Sequence, residues 1–367
     1  MGKALTKEIL DTGLGFLSNA DQKYNGSEPS SLINEKFETL QEEIQEATNN
    51  TLKGEIFFKE MLDLYARAGD RDRDDIIITD GAGDGGIDAY DVYCEEDDEK
   101  RVVTCFQSKW GGSTCSLIED IKKQKDFLLN PEEYTKTKHK NLVNIIKDMS
   151  NYEGQSERCL ASVYFFDNHN RDITEAQKEK IKSAFDLYIR KDEDVAAMFD
   201  HIDVYVYTHK DLANAAYNPN SLFLRISFLE EKGLVVDKHP ETGRTFRVGL
   251  INAFEYAKAV DEFCKEWPMS FLQRNNVRND LGPKTQVNQE MADTMLFYPD
   301  ELHYIHNGIK LTGTRYEDGK LWGSGICNGG QTTNTNSRVR KEYKGCRTTE
   351  DANGNKVNLH LDQMCLL

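Results

Sequence analysis

The chain has 367 residues, 46 basic and 63 acidic side chains and a formal charge of −17 at pH 7, with 38% hydrophobic and 10% aromatic residues. This fits two globular domains. It excludes a wholly disordered chain, a collagen-like repeat and a membrane-spanning protein, because no stretch approaches the roughly 18 consecutive apolar residues a spanning helix needs. The acidic balance argues against coating nucleic acid through net charge alone, but allows an enzyme with a local basic groove.

In chain order, MGKALTKEILDTGL is helix-patterned and lacks the apolar stretch and cleavage site of a signal peptide, so the cytoplasm is the expected compartment. Residues 31–48 and 52–67 read as amphipathic helices. In the second, Phe57, Met61, Leu64, Tyr65 and Ala68 recur at helical spacing. Three β-rich runs follow: 75–79, 87–93 and 101–109. The last two flank the acidic run Glu95-Glu96-Asp97-Asp98-Glu99, as a hairpin with a solvated tip would. Residues 116–128 and 140–148 read as helices, 160–167 as a buried strand, 174–190 as a helix capped by Thr174, and 201–207 as a strand. Strands alternating with helices predict an α/β layer architecture from residue 50 to about 215. A boundary is expected between about 215 and 245, around Asn218-Pro219-Asn220 and the turn-rich stretch 237–244. The eight cysteines (94, 105, 115, 159, 264, 327, 346 and 365) include no CxxC pair, so reduced structural thiols are expected.

The first chemical pattern is TDGAGDGGIDAYDVY (79–93) followed by VVTCFQSKW (102–110). Gln107 and Lys109 are two apart on one β-run and project to one face of a sheet. If the runs pair as a hairpin, Asp88 converges with them. A carboxylate, an amide oxygen and an ammonium suit phosphodiester hydrolysis with a hard divalent cation such as magnesium. Gly83, Gly85 and Gly86 allow positive φ and clear space for a substrate backbone, and Asp84 is a second candidate acid. The same residues also fit an ordinary surface hairpin with an exposed lysine.

GDGGIDAY followed by FQSKW resembles the restriction-endonuclease-like PD-(D/E)xK superfamily, and within it the Mrr-like group, where glutamine takes the second acidic position. The resemblance implies an α/β core with helices packed on a mixed sheet. It implies that Asp88 and Gln107 hold Mg2+ (or Mn2+) and that Lys109 is the catalytic lysine. It further implies a helix-borne glutamate upstream. Glu55, preceding the helix aromatics, matches that glutamate; Glu60, inside the apolar stripe, is the alternative.

The second pattern covers 271–335 and is crowded with amides, arginines and glycines. Arg274, Asn275, Arg278, Asn288, Asn307, Asn328, Gln331 and Thr332 have the chemistry to meet phosphate or base edges. Gly329-Gly330 before Gln331-Thr332-Thr333 reads as an anion-binding loop, with ordinary turn formation as the other reading. The ordered series NVRNDLG, VN, MLFYPDELHYIHNGI and ICNGGQTT resembles the AIPR family, named for abortive-infection phage resistance. The family's paired asparagines before GI are His306-Asn307 here, and Cys327 precedes NGGQT. The resemblance also implies a domain longer than the stretch from NGGQTT to Leu367.

Together the resemblances imply an N-terminal helical region (1–50), a PD-(D/E)xK nuclease-like domain (51–220) and a C-terminal α+β AIPR-type domain (245–367). The expected activity is metal-dependent endonuclease cleavage of DNA in anti-phage or mobile-element defence. Arg274, Arg278, Asn307, Asn328 and Gln331 are expected to form a nucleic-acid-binding pocket. RNA is the alternative substrate, no membrane partner is expected, and a homodimer is an open arrangement. A non-catalytic nucleic-acid sensor with a degenerate nuclease core is the reading from a different class.

Overall fold

The computed structural model describes residues 29–69, 71–79, 85–94, 100–134, 140–150, 157–167, 173–218, 220–229, 234–238, 245–273, 285–306, 308–343, 346–350, 354, 356–359 and 365–366. Helix α1 (Pro29–Glu46) precedes α2 (Asn50–Ala68), whose start is fixed by Asn49. The Asn49 side chain accepts from the Leu52 N–H at 2.9 Å. The helical stripe read from the sequence is the buried side of α2. Phe57 packs on Trp110 at 4.9 Å between ring centroids, and Tyr65 meets Phe106 edge-on at 5.1 Å.

Those rings lie on a five-stranded mixed sheet. Its order is β1 (Ile77–Ile78), β2 (Ala89–Cys94), β3 (Lys100–Trp110), β4 (Glu157–Asp167), β5 (His201–Tyr207). The first three strands are antiparallel and β3, β4 and β5 are parallel. Parallel neighbours require crossover connections. Helices α3 (Thr114–Leu129) and α4 (Lys140–Ser150) join β3 to β4. Helix α5 (Glu175–Phe185), a π-helical turn (Asp186–Arg190) and α6 (Glu193–Met198) join β4 to β5. Side-chain alternation divides the strands between two cores. Ala89, Phe106, Val163 and Phe165 face α2, whereas Tyr90, Val103, Cys105 and Tyr164 share the other core with Leu117, Ile121, Ile146 and Ile181. The result is an α/β layer arrangement with helices on both faces. The first expected strand, 75–79, is shortened to β1 because the Asp72 side chain caps a 3-10 turn over Arg73–Asp75.

After β5, α7 (His209–Tyr217) packs on α1 and α2. The remainder is α+β. It comprises β6 (Phe223–Arg225), β7 (Leu234–Lys238), β8 (Thr245–Val248), β9 (Ile251–Asn252), α8 (Ala253–Cys264), α9 (Met269–Gln273), α10 (Gln286–Phe297) and α11 (Leu302–Ile305). Then come β10 (Lys310–Thr312), β11 (Arg315–Glu317), β12 (Lys320–Trp322), β13 (Gly325–Asn328), α12 (Gly330–Tyr343), β14 (Thr348–Glu350), β15 (Lys356–Asn358) and β16 (Cys365–Leu366). The stretch expected to be a boundary contains β6, which pairs with β12. This region packs on the α2 face of the large sheet. Trp267 stacks on Tyr207 at 5.1 Å, Phe271 meets Tyr65 at 5.2 Å, and the Tyr207 hydroxyl donates to Glu266 O at 2.8 Å.

Of residues 329–333, expected as a loop, Gly329 precedes helix α12 and residues 330–333 form its first turn. Its sequence, GQTTNTNSRVRKEY, has almost no apolar content, yet Thr332, Thr333, Asn336, Ser337 and Arg340 are buried. Such burial is tolerable only with partners. Thr333 Oγ1 and Tyr256 Oη are 3.0 Å apart, Asn336 Nδ2 donates to Ala253 O at 2.6 Å, and Ser337 and Arg340 both donate to Asp261. Asp261→Asn keeps the volume but removes the charge facing Arg340. We expect a loss of about 2 kcal/mol, read as a lower urea midpoint at unchanged slope.

Candidate functional site

The β2–β3 pairing positions the first candidate residues. Ala89 lies opposite Phe106, which brings Asp88 alongside Gln107 and Ser108. The Asp88 N–H donates to Phe106 O at 2.8 Å, and its carboxylate Oδ2 accepts from the Ser108 N–H at 2.7 Å. The carboxylate is therefore anchored on the β3 backbone between Gln107 and Lys109. Asp88 and Gln107 are buried, at 6% and 4% exposure, and Lys109 is partly exposed.

Gln107 and Lys109 share the β3 face that carries Val103 and Cys105, under α3. Gln107 Nε2 donates to Ser108 O at 3.3 Å. Its Oε1 is buried and has no hydrogen-bond partner among the described residues. An orphaned amide oxygen is costly to bury unless something else fills its coordination. Lys109 Nζ lies 2.8 Å from Asp120 Oδ2, and Lys123 Nζ lies 2.9 Å from Asp120 Oδ1. Asp120 is thus a buried counter-charge that fixes the Lys109 ammonium.

One turn further along α3, Gln124 continues the polar seam. Its Nε2 donates to Ser162 Oγ at 2.8 Å, and its Oε1 accepts from the Tyr164 hydroxyl. Burial pushes the Cys105 thiol up to about 12 and the Tyr164 phenol well above its usual range. Both stay protonated at neutral pH, so neither supplies an anionic nucleophile. The sequence reading missed Asp120 and Gln124. Their signal is visible in hindsight: both interrupt the apolar stripe of Leu117, Ile121 and Leu128, where an idle polar group is expensive.

Gly85 and Gly86 have φ of +66° and +73°, as a tight turn before Asp88 requires. The close approach they permit is not to substrate, as the sequence suggested. A Cβ on Gly86 would lie 2.4 Å from the backbone oxygen of Asp120, and one on Gly85 2.9 Å from Phe127. The turn is glycine-rich because it seats on α3. Gly83 and Asp84 lie outside the described residues.

Asp91 belongs to the opposite face. It is buried and ion-paired with Arg71, and burial raises its carboxyl above the usual range against the pull of that guanidinium. Helix α2 also lies on that face. Glu55 is half-buried there, two residues before Phe57, which meets Trp110 at the end of β3. Glu60 is directed elsewhere, with Oε1 3.6 Å from His209 Nε2 of α7.

Among the described residues, no three His, Cys, Asp or Glu side chains gather as a metal cluster. The donor set at β2–β3 is one carboxylate and one unpartnered amide oxygen. Both are hard oxygen ligands of the kind that magnesium or manganese takes alongside water and phosphate.

In the C-terminal region, Asn328 is exposed at the end of β13 and Gln331 is half-buried in the first turn of α12. Arg274, Asn275, Arg278 and Asn307 lie outside the described residues. Asn288 is buried on α10. His306 Nε2 and Thr294 Oγ1 are 3.0 Å apart, and burial lowers the imidazole below its ordinary value.

Residues 274–359 match the family model described as AIPR protein. The AIPR match covers α10 to β13, the buried polar helix α12, and the β14–β15 pair. No curated protein and no solved structure matches the chain. The AIPR segment does not include the large sheet or its Asp88–Gln107–Lys109 constellation. No helix of the described residues is long and apolar enough to cross a membrane.

Proposed function

We propose that this chain is a divalent-cation-dependent endonuclease of the PD-(D/E)xK type, cleaving phosphodiester bonds of DNA in phage or mobile-element defence. The AIPR match supports the defence setting. The observation that carries the activity is the buried Gln107 Oε1, without a partner among the described residues, beside the anchored Asp88 carboxylate, with Lys109 two residues on. The antiparallel β1–β2–β3 unit running into parallel β4 and β5 supports the same reading.

In this scheme Asp88 and Gln107 hold the cation. Magnesium, when bound, supplies Lewis-acid polarisation of the scissile phosphate and acidifies a water. The Ser108 N–H orients the Asp88 carboxylate. Lys109, steadied by Asp120, stabilises negative charge as it grows on the phosphate oxygens. Glu55, on α2 at the Trp110 end of β3, lies on the sheet face opposite Gln107 and Lys109, so the scheme rests on Asp88, Gln107 and Lys109 without it.

The test is cleavage of plasmid, linear duplex and RNA with magnesium, manganese or chelator. Cation-dependent nicking of DNA is expected, reduced about 100- to 1000-fold by Lys109→Ala. Equal nicking by that variant, or no cleavage under any condition, overturns the assignment. RNA cleavage alone would reassign the substrate, and binding without cleavage would favour the sensor reading.

A further inference from the structure

The three-stranded sheet β11–β12–β6 has two dissimilar faces. Its register aligns Arg315 with Trp322 and Phe223, Tyr316 with Leu321 and Leu224, and Glu317 with Lys320 and Arg225. Because side chains alternate, the middle row points one way and the outer rows the other. Leu224 is buried, and Tyr316 and Leu321 pack against the main core, so the middle row seals the inner face. The outer rows therefore share the opposite face.

That outer face carries two aromatic rings framed by cations. Phe223 and Trp322 are adjacent, at 5.0 Å between centroids and tilted by 44°. The Arg315 guanidinium lies 5.3 Å from the Trp322 ring centroid. Lys320 Nζ lies 5.3 Å from the ring of Phe223 and 5.4 Å from that of Trp322. Arg225 is exposed at the rim. The one carboxylate, Glu317, is 3.2 Å from Arg315 and, like it, more than half exposed. Three cations against Glu317 on this face, and the exposed Asp318 at the hairpin turn, still leave the three-stranded sheet locally positive on a chain of net charge −17.

We propose that this face binds single-stranded nucleic acid. Rings on neighbouring strands of an open sheet offer their faces to unpaired bases, and guanidinium planes offer another stacking surface. The flanking ammonium and guanidinium groups meet the phosphates between those bases. Cation–π contacts hold rings and cations in place before a ligand arrives, lowering the ordering cost of binding. A duplex is excluded as the preferred ligand because its bases are already stacked and paired. The surface lies outside the Asp88 site and does not depend on the nuclease reading. Nor does it use the arginines and amides of the expected C-terminal pocket.

The experiment uses the full chain in chelator, so that hydrolysis cannot interfere. Labelled oligothymidylate, oligouridylate and a hairpin duplex are titrated by anisotropy, with tryptophan emission followed in parallel. Single strands are expected to bind more tightly than the duplex and to quench emission. Trp322→Ala should weaken single-strand binding about 10- to 100-fold, and Trp322→Phe should restore most of it. The double variant Arg315→Gln with Lys320→Gln should reduce the logarithmic salt slope by about 1.4. Unchanged affinity in either variant, or a loss equal for duplex and single strand, overturns the platform. Should Trp322→Ala fail to fold, the double variant decides, because it removes no buried group. Binding that survives in a chain without cleavage activity leaves the platform standing while the nuclease reading falls. Oligodeoxyuridylate, which changes only the sugar of oligouridylate, separates recognition of the 2′-hydroxyl from contact with the thymine methyl.

Discussion

Replacing Asp88 by Asn is expected to leave the chain folded and to reduce cation-dependent cleavage by about 1000-fold or more. The amide is nearly isosteric, and its oxygen can still accept from the Ser108 N–H that holds the carboxylate at 2.7 Å. What disappears is the negative charge. A charge-assisted hydrogen bond becomes a neutral one, a change of about 1 kcal/mol in stability. On the proposed reading a bound cation would lose its anionic ligand at the same time and keep only the Gln107 amide oxygen, which cannot balance the desolvation of a small dication. Several kcal/mol of transition-state stabilisation would depend on that cation, and each 1.36 kcal/mol is about a factor of ten in rate. Three readouts separate chemistry from folding: nicking of plasmid with magnesium, the thermal midpoint, and calorimetric magnesium binding. Wild-type nicking at saturating magnesium with an unchanged midpoint would falsify the role given to Asp88. Lost nicking together with a collapsed midpoint would instead make Asp88 a structural ligand of β3.

The β2–β3 pairing that sets Asp88 beside Gln107 and Ser108 was legible because a hairpin has a period of two and a short-range register. The strands flanking the acidic run align Ala89 with Phe106 in the sequence order expected. The apolar stripe of α2 and the Thr174 cap of α5 were legible for the same reason: both are local. Asp120 was not, since its role exists only where α3 folds back over β3 and meets Lys109. The glycine pair was readable as a turn, but the close approach it serves depends on the same long-range packing. The change from α5 to a π-helical turn at Asp186–Arg190 left no mark on the apolar periodicity of 174–190. Strand β6 is three residues long and finds its partner β12 about a hundred positions later, a pairing no local pattern announces. Helix α12 reads as a loop because its burial rests on Tyr256, Ala253 and Asp261, all on α8.

Gly86→Ala separates the scaffold from the chemistry, and should cost about 2–5 kcal/mol. A φ of +73° costs an L-residue about 1–2 kcal/mol relative to glycine. The new methyl would also sit 2.4 Å from the Asp120 carbonyl oxygen and 3.2 Å from the Gln124 N, and these are backbone atoms that cannot swing aside. Overpacking of that kind adds about 1–3 kcal/mol. Relief requires the turn to lift from α3, and two residues later that turn becomes Asp88. Any population that relieves the clash therefore moves the carboxylate off the Ser108 N–H. Gly54 provides the control: it lies inside α2, and a Cβ there meets nothing within 4 Å. Gly54→Ala is accordingly expected to raise stability by up to about 1 kcal/mol through helix propensity alone. Urea denaturation of the two variants beside wild type reads both effects. A Gly86→Ala chain as stable as wild type would show that the turn can leave α3 freely, and with it the reason for a glycine pair before Asp88 would vanish.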